Sequence, residues 1–377
     1  MRNEDEVIKS FIASASGRVN LIGEHTDYNG GFVLPTAIPQ VTRVELWPRS
    51  DSHIRAESTN FSGLRSIFEY DLGNETRLGD WPDYIQGVTH ILQSEGTPLH
   101  GFEIKIESRV PIGSGLSSSA ALEVSLLKVL RKAFDLSLDD IQISRLSQRV
   151  ENEFVGAKVG IMDPMAASLA RLGHALFLDT RDLSYRQIRI PLDQMDLLVI
   201  HSGVIHSNAH GGGYNERRSE CEKACKLLGI YQLRDLSLSK LLEMKDRLPD
   251  TLFRRARHVI TENARVLAAV KAIEQGEMNA LGEIFYASHS SMRDDYEVST
   301  PEIDLLIELT KEEVEVFGAR LTGGGFGGSV VILTFPGKGR ALGEKLCLLY
   351  ENKTGKIPKI LVPENSGHKC ATILEKI

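Results

Sequence analysis

The stretch Pro111-Ile-Gly-Ser-Gly-Leu-Ser-Ser-Ser-Ala-Ala-Leu-Glu123 decides how the rest of the chain is read. Before it, Phe102-Glu-Ile-Lys-Ile106 alternates apolar and polar residues, the pattern of a half-buried strand. After it, Leu122, Leu126, Val129, Leu130 and Phe134 recur at helical spacing and predict a helix from about Ser118 to Phe134. A tight loop of glycines and serines thus joins a strand to a helix N-terminus. Glycine lets the backbone approach a ligand, and the first helical turn offers unpaired N–H groups at the positive end of a dipole. The hydroxyls add donors, and any of them can ligate a hard cation such as Mg²⁺. The loop suits a triphosphate; an ordinary N-capped turn is the alternative that this stretch alone leaves open.

The two best-known phosphate loops do not fit. A P-loop places a lysine and then Ser or Thr after its last glycine, and the chain has no such segment. A dinucleotide fingerprint needs a third glycine where Ser118 stands.

Working outward, Gly17-Arg-Val-Asn-Leu-Ile-Gly-Glu-His-Thr-Asp-Tyr-Asn-Gly-Gly-Phe-Val-Leu-Pro35 crowds Arg18, Glu24, His25 and Asp27 between glycines. Glu24, His25 and Asp27 can exchange hydrogen bonds with hydroxyls, as a polyol or sugar requires. A polar turn with an internal ion pair is the structural alternative. Gly318-Ala-Arg-Leu-Thr-Gly-Gly-Gly-Phe-Gly-Gly-Ser329 leads into the strand-like Val330–Phe335 and implies that something approaches its backbone closely.

Val41 to Phe68 reads as two or three strands, Trp81 to Leu92 as a helix with proline in its first turn, and Leu138 to Ala157 as a charged helix holding Glu151. Trp81 is read as packing at a helix entry, with flanking of a nucleotide base as the alternative. Asp163 precedes a short helix, Met165–Ala170, where a dipole favours its ionised form; an N-cap is the plain reading. His174–Asp179 and Met195–Ile200 read as strands, with turns and a domain crossing from Thr180 to Gln194. The loop from His201 to Tyr214 carries His201, His206 and His210, which lack metalloenzyme spacing. Helices dominate from Asn215 through Lys311.

The chain's 377 residues exceed one ordinary core and predict two domains. A formal charge of -7 argues against a nucleic-acid binder or an anionic-membrane binder, though not against a small anion held locally. Four scattered cysteines without a CxxC suit reduced thiols in the cytoplasm. The charged start, Met1-Arg-Asn-Glu-Asp-Glu-Val7, lacks the apolar core of a signal peptide, and no apolar run approaches the roughly 20 residues that span a bilayer.

In this order, the three glycine-bearing stretches resemble the three signature motifs of the GHMP small-molecule kinases. Gly17 to Asn29 is similar to the galactokinase signature within that superfamily, and the likeness extends through Thr261-Glu-Asn-Ala-Arg265 and Ser291-Met-Arg-Asp-Asp295. The resemblance implies a two-domain α+β fold. Residues 1–185 would form an N-terminal α+β domain with the phosphate loop, and 186–377 a ferredoxin-like C-terminal domain. It implies phosphorylation of the anomeric hydroxyl of galactose by ATP, with Mg²⁺. Gly113, Ser114, Gly115, Leu116, Ser117, Ser118 and Ser119 would hold the ATP phosphates, and Ser119 and Glu151 the metal. Glu24, His25, Thr26, Asp27, Gly160 and Tyr214 would grip the sugar, and Asp163 would face the reacting hydroxyl with Arg18 beside it. The implied partner is a small sugar, bound by a monomer that engages neither nucleic acid nor membrane.

Three positions depart from the family pattern: Ser16 in place of proline, Pro164 in place of glutamine, and Gly212-Gly213 in place of Ser-Glu. The last two are expected to border the sugar and to leave one wall of its pocket short of side chains. Another sugar 1-kinase, acting on arabinose, a uronic acid or an N-acetylhexosamine, is one alternative, and a non-catalytic sugar sensor another. The intact Ser119-Ala120-Ala121, Glu151 and Asp163 favour catalysis.

Overall fold

The structure, a computed structural model, describes residues 9–204 and 212–363. The first half builds one sheet. Its strands are β1 (Phe11–Asn20), β2 (Phe32–Val33), β3 (Pro35–Pro48), β4 (His53–Ser58), β5 (Ile67–Asp71), β6 (Phe102–Ser108), β7 (His174–Asp179) and β8 (Tyr185–Arg189). The order is β2-β7-β3-β6-β4-β5, with β1 also paired to β3 and β8 to β7; β4 and β6 run parallel and the other pairs antiparallel. Residues of α1 (Pro82–Ser94), α2 (Ser118–Ala133) and α3 (Asp140–Arg149) join β1, β3, β4 and β6 in one apolar core. Along β4, burial alternates at every residue, so the helices take one face and charged residues the other.

The second sheet has β9 (Asp196–His201), β10 (Val316–Thr322), β11 (Ser329–Thr334) and β12 (Lys359–Val362) in the antiparallel order β10-β11-β9-β12. Numbered within the sheet this is 2-3-1-4, the ferredoxin-like order. Helices α4 (Met162–Leu169), α5 (Gly212–Leu228), α6 (Leu238–Glu243), α7 (Asp250–Gln275), α8 (Met278–Asp294), α9 (Pro301–Lys311) and α10 (Gly339–Thr354) complete the chain. A third core joins the two sheets: Val19, Leu21, Leu34 and Leu116 pack in one cluster with Val199, Val266, Val331 and Leu333.

The long charged helix expected to hold Glu151 ends at Arg149, and a π turn, Val150–Val155, follows it. Residues 180–194, expected as turns and a crossing, contain β8, so the first sheet runs on to Arg189. Among the described residues, no helix is long and apolar enough to cross a membrane.

Helix α8 lies backbone to backbone on β10. A Cβ at Gly282 would sit 1.9 Å from the Phe317 carbonyl oxygen, and one at Gly318 would sit 2.4 Å from Gly282 Cα. Neither contact ends on a flexible side chain that could move aside. Gly282→Ala should therefore lower stability by about 3 kcal/mol, the upper end for an overpacked core. Thermal and urea unfolding check this, and a midpoint equal to wild type would contradict it.

Candidate functional site

The loop before α2 is built on left-handed backbone: Gly113 (φ 73°), Gly115 (φ 76°) and Ser117 (φ 60°). A glycine tolerates this at no steric cost, whereas Ser117 does not, and its hydroxyl makes a short hydrogen bond, 2.5 Å, to Asp163 Oδ2. The other strong ligand of Asp163 is Arg18, which donates from Nε to Oδ1 at 2.7 Å and from Nη2 to Oδ2 at 2.6 Å. Arg18 Nη1 meanwhile donates to the Gly115 carbonyl at 2.5 Å, and the Arg18 backbone N–H to the Leu116 carbonyl at 3.1 Å. Residues 145 positions apart are thus held on one glycine loop, with Asp163 in the first turn of α4. A guanidinium and a helix N-terminus thus both face this side chain.

A small cavity of about 100 Å³ opens beside this cluster, lined by Arg18, Glu24, His25, Asp27, Gly160, Asp163 and Tyr214, with Gly323 and Gly324 from the third glycine stretch. Burial pushes the Asp27 carboxyl up to about 6, Asp163 adding to the shift and Arg18 opposing it. Gly160 exists for this carboxylate: a Cβ there would lie 1.6 Å from Asp27 Oδ2. His25 is left-handed (φ 62°), and burial, with His258 and Arg217 nearby, drives its imidazole down to about 3 and keeps it neutral. Burial pushes Glu24 upward against the pull of Arg320. Its carboxylate pairs with the Arg320 guanidinium and accepts from the Gly323 N–H at 3.0 Å.

On the other side of the glycine loop lies an apolar cleft of about 490 Å³. Its walls include Asn60, Phe61, Trp81, Tyr84, Ile112, Ser118, Ser119 and Ala157. Trp81 and Phe61 stack with centroids 5.7 Å apart, and Asn60 bridges both backbone polar groups of Ser108. At the inner end Ser119 hydrogen-bonds Glu151, which burial raises to about 7, Ser119 opposing the shift and Asp163 adding to it. The π turn presents this carboxylate while its carbonyl caps Gly156 and Ala157 at 2.8 and 2.9 Å.

Several predicted residues stand elsewhere. The Thr26 hydroxyl does not line the cavity; it donates to the Gly23 and Phe32 carbonyls at 2.8 and 2.7 Å and staples the loop. The Leu116 side chain is core, 1% exposed, and turns away from the loop surface. The Ser114 hydroxyl is spent on the Pro111 carbonyl at 2.8 Å. Pro164 is buried in α4 and is not part of the cavity wall. Gly213, expected to leave a wall short of side chains, is not part of the cavity wall, and the space beside it is taken: a Cβ there would meet the Phe326 ring at 2.6 Å. His206 and His210 lie outside the described residues.

The third glycine stretch divides its work. Gly325 and Gly327 admit the backbone of Val298 and Val204, at 2.5 and 2.9 Å from where a Cβ would stand, and Gly323 and Gly324 face the cavity. The sequence reading missed Arg320, an arginine in the middle of a buried strand, although that burial mismatch was the available signal. It also missed Asn60 and Phe61, which no local pattern marks.

Known proteins share this sequence and fold. The galactokinase galactose-binding signature matches residues 4–47, the GHMP kinases N terminal domain 83–171, and the GHMP kinases C terminal domain 269–352. Galactokinases of Chloroflexus aurantiacus and Chloroflexus aggregans are 42% and 43% identical over 373 residues, covering 97% of this chain and 94% of each relative. The crystal structure of Lactococcus lactis galactokinase complexed with galactose superposes with a TM-score of 0.90 at 33% identity, over 93% of this chain and 92% of that one. Methanococcus jannaschii mevalonate kinase, 20% identical with a TM-score of 0.66 over 93% of this chain and 98% of its own, shares the fold.

The buried Asp27 has a measurable consequence. Its folded pKa, about 6, lies above the unfolded value near 3.8, so the stability it allows is full below pH 3.8 and is lost as pH rises through 6. Asp27→Asn removes that loss. Relative to wild type it should gain on the order of 2 kcal/mol between pH 4 and pH 8. Unfolding curves at the two pH values test this; parallel pH profiles for the two proteins would refute it.

Proposed function

The chain belongs to the galactokinase family of the GHMP kinases, and we propose how its two adjoining cavities carry out phosphoryl transfer from ATP to galactose. ATP-dependent phosphorylation of galactose is its activity. In our reading the apolar cleft takes the base of ATP, and the backbone from Gly113 to Ser119 takes its phosphates. The small cavity takes the sugar with its anomeric hydroxyl toward Asp163. The observation that carries this assignment is the position of Asp163: Arg18 and Ser117 tie it to the phosphate loop while it lines the sugar cavity.

The chemistry follows from what that carboxylate can still do. An ionised carboxylate has about four acceptor sites; three are engaged, by Arg18 twice and Ser117 once. The remaining lone pair accepts the sugar hydroxyl and orients its oxygen toward the phosphorus. As the bond from the sugar oxygen to the γ-phosphorus forms, the bond from that phosphorus to the bridging oxygen breaks, ADP leaves with its electron pair, and the hydroxyl proton passes to Asp163. A loose, metaphosphate-like transition state asks little of this base, because the attacking oxygen gives up its proton late. Three of the five guanidinium donors of Arg18 are used within the protein, and the rest are free to meet phosphate oxygens.

Ser119 and Glu151 fit Mg²⁺: a hydroxyl and a carboxylate are oxygen donors, and Glu151 is held nearly dry beside Ser119. Among the described residues no cluster of three or more acidic, His or Cys side chains could hold a metal, which suits an ion that takes one or two protein ligands and finds the rest on phosphates. When bound, it would neutralise charge on the phosphates. Glu24, His25, Asp27 and Tyr214 grip the sugar, and Gly160 gives Asp27 its place. We take the unit carrying the first sheet and the unit carrying the second as two domains. One chain is the working form, since both cavities are complete within it.

Asp163→Asn keeps the shape of the site but cannot accept a proton. It should lower kcat at least ~10²-fold while galactose still binds. Arg18→Lys should be nearly as damaging, because an ammonium cannot bridge Asp163 and Gly115 with a planar fork. A coupled ADP-release assay on galactose measures both, and unchanged kcat in both variants would place the chemistry elsewhere.

Glu151→Gln should remove most turnover at ordinary Mg²⁺ and recover part of it at high Mg²⁺, with an unfolding midpoint close to wild type. Mg²⁺ titration of the initial rate reads this directly. Wild-type turnover at low Mg²⁺ would refute the assignment.

A further inference from the structure

A line of hydrogen bonds leads away from the sugar cavity through residues that the reaction does not use. Tyr28 Oη lies 2.9 Å from His25 Nδ1 and 2.9 Å from Tyr296 Oη, which in turn lies 3.2 Å from Cys221 Sγ. Tyr296 and Cys221 are 0% and 1% exposed, so water does not satisfy these groups. Rings clamp the imidazole on several sides: Tyr296, Tyr214 and Tyr28 have centroids 4.7, 5.4 and 5.9 Å from it. His25 lines the cavity, and its Nε2 is buried without a hydrogen bond of ordinary geometry.

A neutral imidazole carries one N–H. His25 therefore meets a ligand at Nε2 either as a donor or as an acceptor, and the group at Nδ1 decides which. Tyr28 is that group. If His25 donated to Tyr28, the donors would run outward through Tyr296 and end on the Cys221 sulfur, a weak acceptor. Asn29 also hydrogen-bonds that sulfur, which would then serve two donors. Run inward, the thiol donates to Tyr296, Tyr296 to Tyr28, and Tyr28 to Nδ1, so the phenol proton meets the bare imidazole nitrogen, the best acceptor on the line.

We propose that Tyr28 and Tyr296, with the Cys221 thiol behind them, are positioning residues that hold His25 as the Nε2–H tautomer and so present the sugar with a hydrogen-bond donor. The inference rests on the reading of this cavity as the galactose site. It makes the site selective for a hydroxyl that can accept at that point. Glu24 and Asp27, both carboxyl groups, supply acceptors in the same cavity. A neutral donor among them gives the pocket both kinds of partner, and a sugar hydroxyl needs both.

The test uses the full chain labelled with ¹⁵N-histidine, free of ligand, with His25→Gln identifying the His25 resonances. Wild type should show Nε2 protonated and Nδ1 bare. Tyr28→Phe should turn His25 to a mixture of tautomers and raise the KM for galactose by the inverse of the Nε2–H fraction that remains, about twofold for an even mixture. The KM for ATP should stay unchanged, a split that general loosening of the fold would not give. Tyr296→Phe should act in the same direction, and Cys221→Ser, which keeps a donor at the end of the line, should preserve both tautomer and KM. Nδ1–H in the wild type would overturn the proposal, as would an unchanged tautomer in Tyr28→Phe or, should that variant not fold, in Tyr296→Phe. The tautomer is read without sugar, so a failure of the galactose assignment shows separately, as absent galactose turnover in a wild type whose His25 still carries Nε2–H.

Discussion

The guanidinium of Arg320 is fully buried in the middle of a strand, and the site is arranged around its neutralisation. An ion in that position costs several kcal/mol unless it is paired and its N–H groups are satisfied. Here Glu24 takes one side, Ser288 Oγ accepts at 3.1 Å, and the Leu21 carbonyl accepts at 2.9 Å. A second carboxylate, Glu262, lies 3.7 Å away and also accepts from the Gly23 N–H at 3.0 Å. Although burial works against it, Arg265 and Arg320 hold Glu262 down to about 2. One buried charge thus draws together the loop that carries Glu24, helices α7 and α8, and strand β10. Partial pairing would be worse than none, so these elements fix one another's positions.

The same economy governs the backbone. Each of the three glycine-bearing stretches contains one non-glycine residue in the left-handed region: His25, Ser117 and Phe326, with φ of 62°, 60° and 60°. Each costs of order 1 kcal/mol and persists only where its surroundings insist on it. Ser117 is held by Asp163 and His25 by its ring cage. Phe326 donates its N–H to the Val298 carbonyl at 2.6 Å and fills the space that Gly213 leaves. The strain sits at the three places where protein meets substrate in our reading, which leaves little for binding to reorganise.

How much of this was legible depended on range. The helix after the phosphate loop, β7 and the strand before it follow from local periodicity, and the glycine stretches announce close approach whatever their partners. Asp163 could not be separated from an N-cap by its own neighbourhood, because Arg18 is 145 positions distant. The nucleotide-side cleft is assembled from single residues of separate elements, such as Asn60, Trp81 and Ala157, none of which forms a pattern. Strand β8, Tyr185-Arg-Gln-Ile-Arg189, has one buried apolar residue and no alternation to betray it. Gly213 misled for a different reason: a missing side chain reads as empty space in a sequence, whereas here a phenylalanine 113 positions later occupies it.

The apolar cluster that runs beneath both sheets bears on how such a chain can evolve. Val19, Leu21 and Leu34 from the first half share one interior with Val199, Val331 and Leu333 from the second. A seam of that kind is unlike the polar contacts between domains that swing about a hinge. Neither half can be grafted onto a foreign partner as an independent module without laying that interior open. Shuffling between relatives would have to exchange the residues on both sides of the seam together. New specificities are therefore open to this architecture through point changes in the loops above the seam, and recombination of its halves is closed to it.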